Sequence, residues 1–81
     1  MSTKSQHSRA YAPVPEFLRG LREQAGLTQR ELGNSLGKPQ SWVHNCEVGN
    51  RRVDVTEFAA WAIACGLKPT IALGRFLRQA G

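Results

Sequence analysis

From residue 14 onward, apolar side chains recur at helical spacing, and glycine or proline repeatedly interrupts the pattern. Order is expected to begin near Val14, with Pro15 suited to a first helical turn and Phe17, Leu18, Leu21 and Ala25 on one face. Gly26 is a stop signal. Thr28 is placed to cap a second helix, and Glu31 completes a capping box with it. That helix carries Leu32 and Leu36 on one side and ends at Gly37. Pro39 opens a third helix, which closes near Val48 and Gly49. Asp54 caps a fourth, again paired with a glutamate at Glu57, and Val55, Phe58, Ala59, Ala62 and Ile63 supply its apolar positions before Gly66 ends it. Pro69 and Thr70 start a fifth, with Ile71, Leu73, Phe76 and Leu77. No stretch reads as a strand. The pattern predicts an all-α fold of five short helices around one core over residues 14–81. Residues 1–13 lack periodicity and carry Lys4, His7 and Arg9 without an acid. They are expected to form a flexible basic tail, either a DNA-contacting arm or simply a disordered end.

The third helix departs from the usual amphipathic scheme. Its apolar positions, Val43 and Cys46, face amides, a hydroxyl and an imidazole rather than lysines and glutamates: Gln40, Ser41, His44 and Asn45. Such side chains donate and accept hydrogen bonds at fixed geometry, as the base edges of the DNA major groove require. Trp42 is the odd member, suited either to the core edge, the preferred reading, or to the sugar-phosphate backbone.

Size and charge narrow the options. A chain of 81 residues makes one small domain, which buries only about 60% of its unfolded surface. A deep catalytic cleft is therefore not expected. Eleven Lys and Arg against six Asp and Glu give a net charge of +5. That excess suits a polyanionic partner, although it also serves solubility alone. Cys46 and Cys65 form no CxxC pair and read as free, small hydrophobes in a reducing compartment. His44 and Cys46 lack further ligands at metal-binding spacing, so neither a metal nor another cofactor is expected. No apolar run has membrane-spanning length and no signal core is present, which points to the cytoplasm. No catalytic constellation or phosphate-binding glycine loop is present, and no enzymatic activity is expected.

The stretch QRELGNSLGKPQSWVHNCEV places Leu32, Gly33, Leu36, Gly37, Val43 and Cys46 where two short helices joined by a tight turn need them. Together with LRGLREQAGLTQRELG and EVGNRRVDVTEF, this resembles the Xre/Cro-type helix-turn-helix domains of phage repressors and bacterial regulators. Lys38 stands where an apolar residue is more usual, and Cys46 where Ile or Leu is common. The resemblance implies a compact phage-repressor-like domain with the helix-turn-helix formed by the second and third helices. It implies base contacts from the Gln40-Ser41 pair, and a Gln29 that grips a phosphate while bracing Gln40. It also implies a structural ion pair between Arg22 and Glu47.

From position alone, His44 and Asn45 are further base-reading candidates, depending on docking angle. Lys38, Asn50, Arg51 and Arg52 are phosphate candidates, against the alternative of a solvated basic loop. Ile71, Phe76 and Leu77 are dimer-interface candidates unless they only complete the monomer core. The expected function is a sequence-specific regulator of transcription, a repressor, bound as a homodimer to a palindromic double-stranded operator. The alternative is an antitoxin-like or adaptor protein whose main task is to hold a partner protein; little sequence past the fifth helix argues against it, although the first thirteen residues could serve.

Overall fold

A computed structural model describes residues 9–80. Five helices follow one another: α1 (Val14–Gln24), α2 (Gln29–Leu36), α3 (Gln40–Glu47), α4 (Val55–Ala64) and α5 (Pro69–Ala80). No strand occurs among the described residues. The expected tail at residues 1–8 lies outside them. Residues 9–13, assigned to the same tail, form turns instead, because Tyr11 is tied to the domain. Its hydroxyl accepts the Val53 N–H at 3.0 Å, and its carbonyl accepts that of Val14 at 2.8 Å.

Local chemistry explains the helix starts. Thr28 accepts the Glu31 N–H at 3.0 Å, while Glu31 reaches back to the Thr28 N–H at 2.9 Å. Asp54 and Glu57 repeat that reciprocal arrangement at the start of α4. Each box satisfies donors that a helix N-terminus otherwise leaves unpaired. The α2 terminus depends on Gly37, whose φ of 69° lies in the left-handed region where a Cβ is disfavoured.

The helices enclose a small core of Phe17, Leu18, Leu21, Leu32, Val43, Cys46, Trp61, Ala62 and Ala72. Trp61 is fully buried and donates its indole N–H to the Leu18 carbonyl at 3.0 Å. This satisfies the one polar atom that so large a side chain carries inward. An eight-residue helix such as α3 is marginal by itself. Complete burial of Val43 and Cys46 against the core holds it in place.

Gly33 sets the closeness of the helix-turn-helix. A Cβ there would stand 2.6 Å from the Lys38 carbonyl oxygen, and the Lys38 N–H donates to the Gly33 carbonyl at 2.8 Å. Backbone meets backbone at this crossing, so no side chain can yield. Gly33→Ala is expected to destabilise the fold by about 1–3 kcal/mol, as overpacking does; a thermal melt matching the parent would refute this.

Candidate nucleic-acid interface

The arrangement begins in the interior, beneath α3. Glu47 is the last residue of that helix, and only 2% of its side chain is exposed. Arg22 of α1 meets it in a two-pronged ion pair, Nε to Oε2 at 2.6 Å and Nη2 to Oε1 at 3.0 Å. The remaining terminal nitrogen of Arg22 donates to the Leu27 carbonyl at 2.8 Å. Glu47 raises the Arg22 pKa still further above its ordinary value, so the guanidinium stays charged. The acid is thereby neutralised inside the domain and stays away from the outer face.

Glu47 then orders a chain of amides. A carboxylate only accepts hydrogen bonds, so Gln29 must turn its amino group toward Glu47, which it does at 3.0 Å. The carbonyl of Gln29 is consequently directed to Gln40, whose Nε2 donates to it at 2.7 Å. That uses one Gln40 N–H. Its second N–H and its carbonyl oxygen remain available on an exposed side chain. The orientation of Gln40 thus follows from the fixed polarity of a buried acid two hydrogen bonds away.

Around α3, Gln40, Ser41 and His44 are exposed and Asn45 is half-buried. Asn45 is partly committed to the following loop. Its backbone carbonyl accepts the N–H groups of Asn50 and Arg51 at 2.9 and 3.2 Å, and its side-chain oxygen accepts from Asn50 Nδ2 at 3.4 Å. Lys38 and Asn50 lie exposed at opposite ends of the helix. Gln29 stands at the first position of α2, beside the N–H groups of that helix start.

Two of the loop arginines are less independent than the sequence suggested. Arg51, expected as a phosphate clamp, spans Glu57 with both terminal nitrogens at 3.1 Å and also donates to the Arg52 carbonyl at 2.7 Å. Its guanidinium lies 5.0 Å from the centre of the Trp42 ring. It braces the loop onto α4 and α3, because Glu57 already faces this way to cap α4. Arg52 stacks over Tyr11, 3.9 Å from the ring centre. Of the two roles left open for Phe76, its position fits the monomer core: it is half-buried and meets Phe17 edge-on at 5.3 Å. The other dimer candidates, Ile71 and Leu77, are 48% and 58% exposed, and Leu73 at 46% shares their helix. Neither the Tyr11 anchor nor the Arg51–Glu57 pair had a sequence signal, since both join residues outside any helical period.

The domain thus presents an amide-bearing helix on a tight turn, with its only acid drawn inward. Residues 16–70 match the family described as a helix-turn-helix domain. Among solved structures, the chain is similar to an XRE-family like protein from Pseudomonas syringae pv. tomato str. DC3000. The two are 34% identical, the likeness covers 95% of this chain and 94% of that one, and the TM-score is 0.81. The chain is a member of the Xre-type helix-turn-helix family. No curated protein matches it. As an Xre-type protein it carries a DNA-binding regulatory fold, and its helix-turn-helix is the pair α2 and α3. No helix among the described residues is long and apolar enough to cross a membrane.

Two outcomes follow from these pairs. Arg22→Ala strands a buried carboxylate and is expected to cost about 3–5 kcal/mol of stability, read as a lowered Tm; an unchanged melt would remove the pair from its central place. Arg51 holds the Glu57 pKa below its ordinary 4.5, and Asp54 is lowered from 3.8 by hydrogen bonds to the Glu57 and Thr56 backbone and hydroxyl groups. Groups with depressed folded pKa values stabilise the fold above their unfolded pKa, and that contribution is lost as pH falls through the folded pKa. Stability should therefore decline from about pH 4.5 downward, and Glu57→Gln should flatten that limb. An acid limb identical in parent and variant would contradict the assignment.

Proposed function

We propose that this Xre-type protein is a sequence-specific transcriptional repressor that inserts α3 into the major groove of double-stranded DNA. One observation carries the reading: the bond from Gln40 to Gln29, oriented from Glu47, leaves a braced amide on the exposed edge of a helix. A free N–H beside a free carbonyl matches N7 and N6 of adenine, and such a two-point contact discriminates by about 1–3 kcal/mol. Ser41 and His44 extend the reading face, and Asn45 contributes at its inner margin. Gln29, at the N-terminus of α2, binds a phosphate together with the backbone N–H groups there. Lys38, Asn50 and Arg52 contact phosphates around the helix. Arg51 serves chiefly by holding the loop.

A single domain offers few base contacts, and two linked copies gain affinity by engaging two half-sites at once. We therefore assign the exposed Ile71, Leu73 and Leu77 of α5 to a two-fold homodimer contact. The corresponding operator is palindromic, with half-sites about 34 Å apart.

Selecting bound duplexes from a random pool tests the proposal directly, because it returns sequence preference and symmetry together. The expected result is a two-fold motif containing an adenine whose preference relaxes in Gln40→Ala. Affinity should also fall with salt, each neutralised phosphate adding roughly −0.9 to the log–log slope. A pool that shows no enrichment would end the reading. A motif left unaltered by Gln40→Ala would end the role given to that residue.

A further inference from the structure

The two sides of α3 differ. Gln40 and Gln29 occupy one flank, and Trp42 lies about 200° around the helix from Gln40. Trp42 packs its ring on Trp61, with centroids 6.1 Å apart, yet stays half-buried. Among the described residues, no buried side-chain nitrogen or oxygen lacks a partner, and none of their groups accepts the Trp42 indole N–H. That N–H consequently opens to the surface. Trp61 offers the contrast, with its own N–H sealed onto Leu18. Two cations border the Trp42 ring: Lys38 Nζ lies 5.2 Å and Arg51 Cζ 5.0 Å from its centre. Arg51 is balanced by Glu57, so Lys38 supplies the unbalanced charge and Arg51 fixes the ring.

An outward donor with no acceptor, next to an exposed ammonium, is a site for an anion. We propose that Trp42 is a phosphate-binding residue, its indole N–H and the Lys38 ammonium clasping one backbone phosphate on the flank of α3 opposite Gln29. This rests on the DNA-binding reading above. It makes the grip two-sided, with Gln29 and the α2 terminus on one wall of the groove and Trp42 with Lys38 on the other. A helix held at both lips has a fixed depth and roll, which the Gln40 contact needs.

Trp42→Phe keeps an aromatic ring against Trp61 while removing the donor and part of the ring, so its melt is compared with the parent's before affinities are. Against a selected duplex it should bind on the order of fivefold to tenfold more weakly. Its salt slope should match the parent, since the indole is neutral, whereas Lys38→Ala should lose roughly 0.9 from the slope. Ethylating the clasped phosphate should impair the parent but not Trp42→Phe. The unaltered protein provides a second measurement. Of the two indole N–H resonances, the one from Trp42 should shift and become protected from exchange when duplex is added, while that of Trp61 stays fixed. Parent-like affinity in Trp42→Phe, ethylation interference that survives in the variant, or an unperturbed Trp42 resonance in the complex would each overturn the clasp. If the parent selects no duplex at all, the DNA-reading proposal fails first; if it selects a site and Gln40→Ala alters it while the Trp42 signals stay silent, only the clasp fails.

Discussion

A carboxylate that is almost wholly buried at the foot of α3 is expensive to leave alone, and the domain is organised around compensating it. Arg22 approaches from α1, Gln29 from α2, and Glu47 itself belongs to α3, so one acid joins three helices. The arrangement gives more than cohesion. Because the acid accepts and never donates, it fixes the direction of each hydrogen bond that follows it. A neutral residue in its place would leave Gln29 and Gln40 free to flip, and the outer amide would have no defined donor and acceptor edge. In the proposed reading, the recognition surface is ordered from beneath.

The same economy appears in the treatment of charge. The chain is basic overall, with a net charge of +5, but its cations do not all face outward as a diffuse cloud. Arg22 and Arg51 are paired with Glu47 and Glu57 and serve to fix helices and loop. Lys38 is left exposed, and Arg52 lies along Tyr11. Glu57 shows why such sharing matters in a small domain: it caps α4 through the Asp54 N–H and at once receives Arg51, so the start of α4 and the loop after α3 are set by one side chain. With so thin a core, polar brackets of this kind supply positioning that packing alone does not.

What was legible in the sequence and what was not divides along distance in the chain. Helix limits were legible because their causes are local: TQRE and DVTE are capping boxes, and glycines at 26, 37, 49 and 66 take positive φ as stop residues should. The Xre-type helix-turn-helix was legible too, since Gly33 and Gly37 and the aliphatic spacing encode a close crossing. The candidate site was legible in identity but less so in allegiance. Arg51 was a phosphate candidate, and the structure adds its pairing with Glu57; for Phe76, left between a dimer contact and the monomer core, the structure gives packing on Phe17.

By itself, then, the sequence determined the five helices, the tight turn between α2 and α3, and the excess of positive charge. Each of these depends on neighbours within one or two helical turns, where propensity, capping and periodicity act. Only the tertiary structure decided that Tyr11 leans on Val53, that Arg51 chooses Glu57, and that Gln40 presents a directed amide. Those outcomes depend on which groups meet after the chain has closed on itself. Hydrogen-bond polarity and ion pairing fall off too steeply with distance and angle to be read from order along the chain.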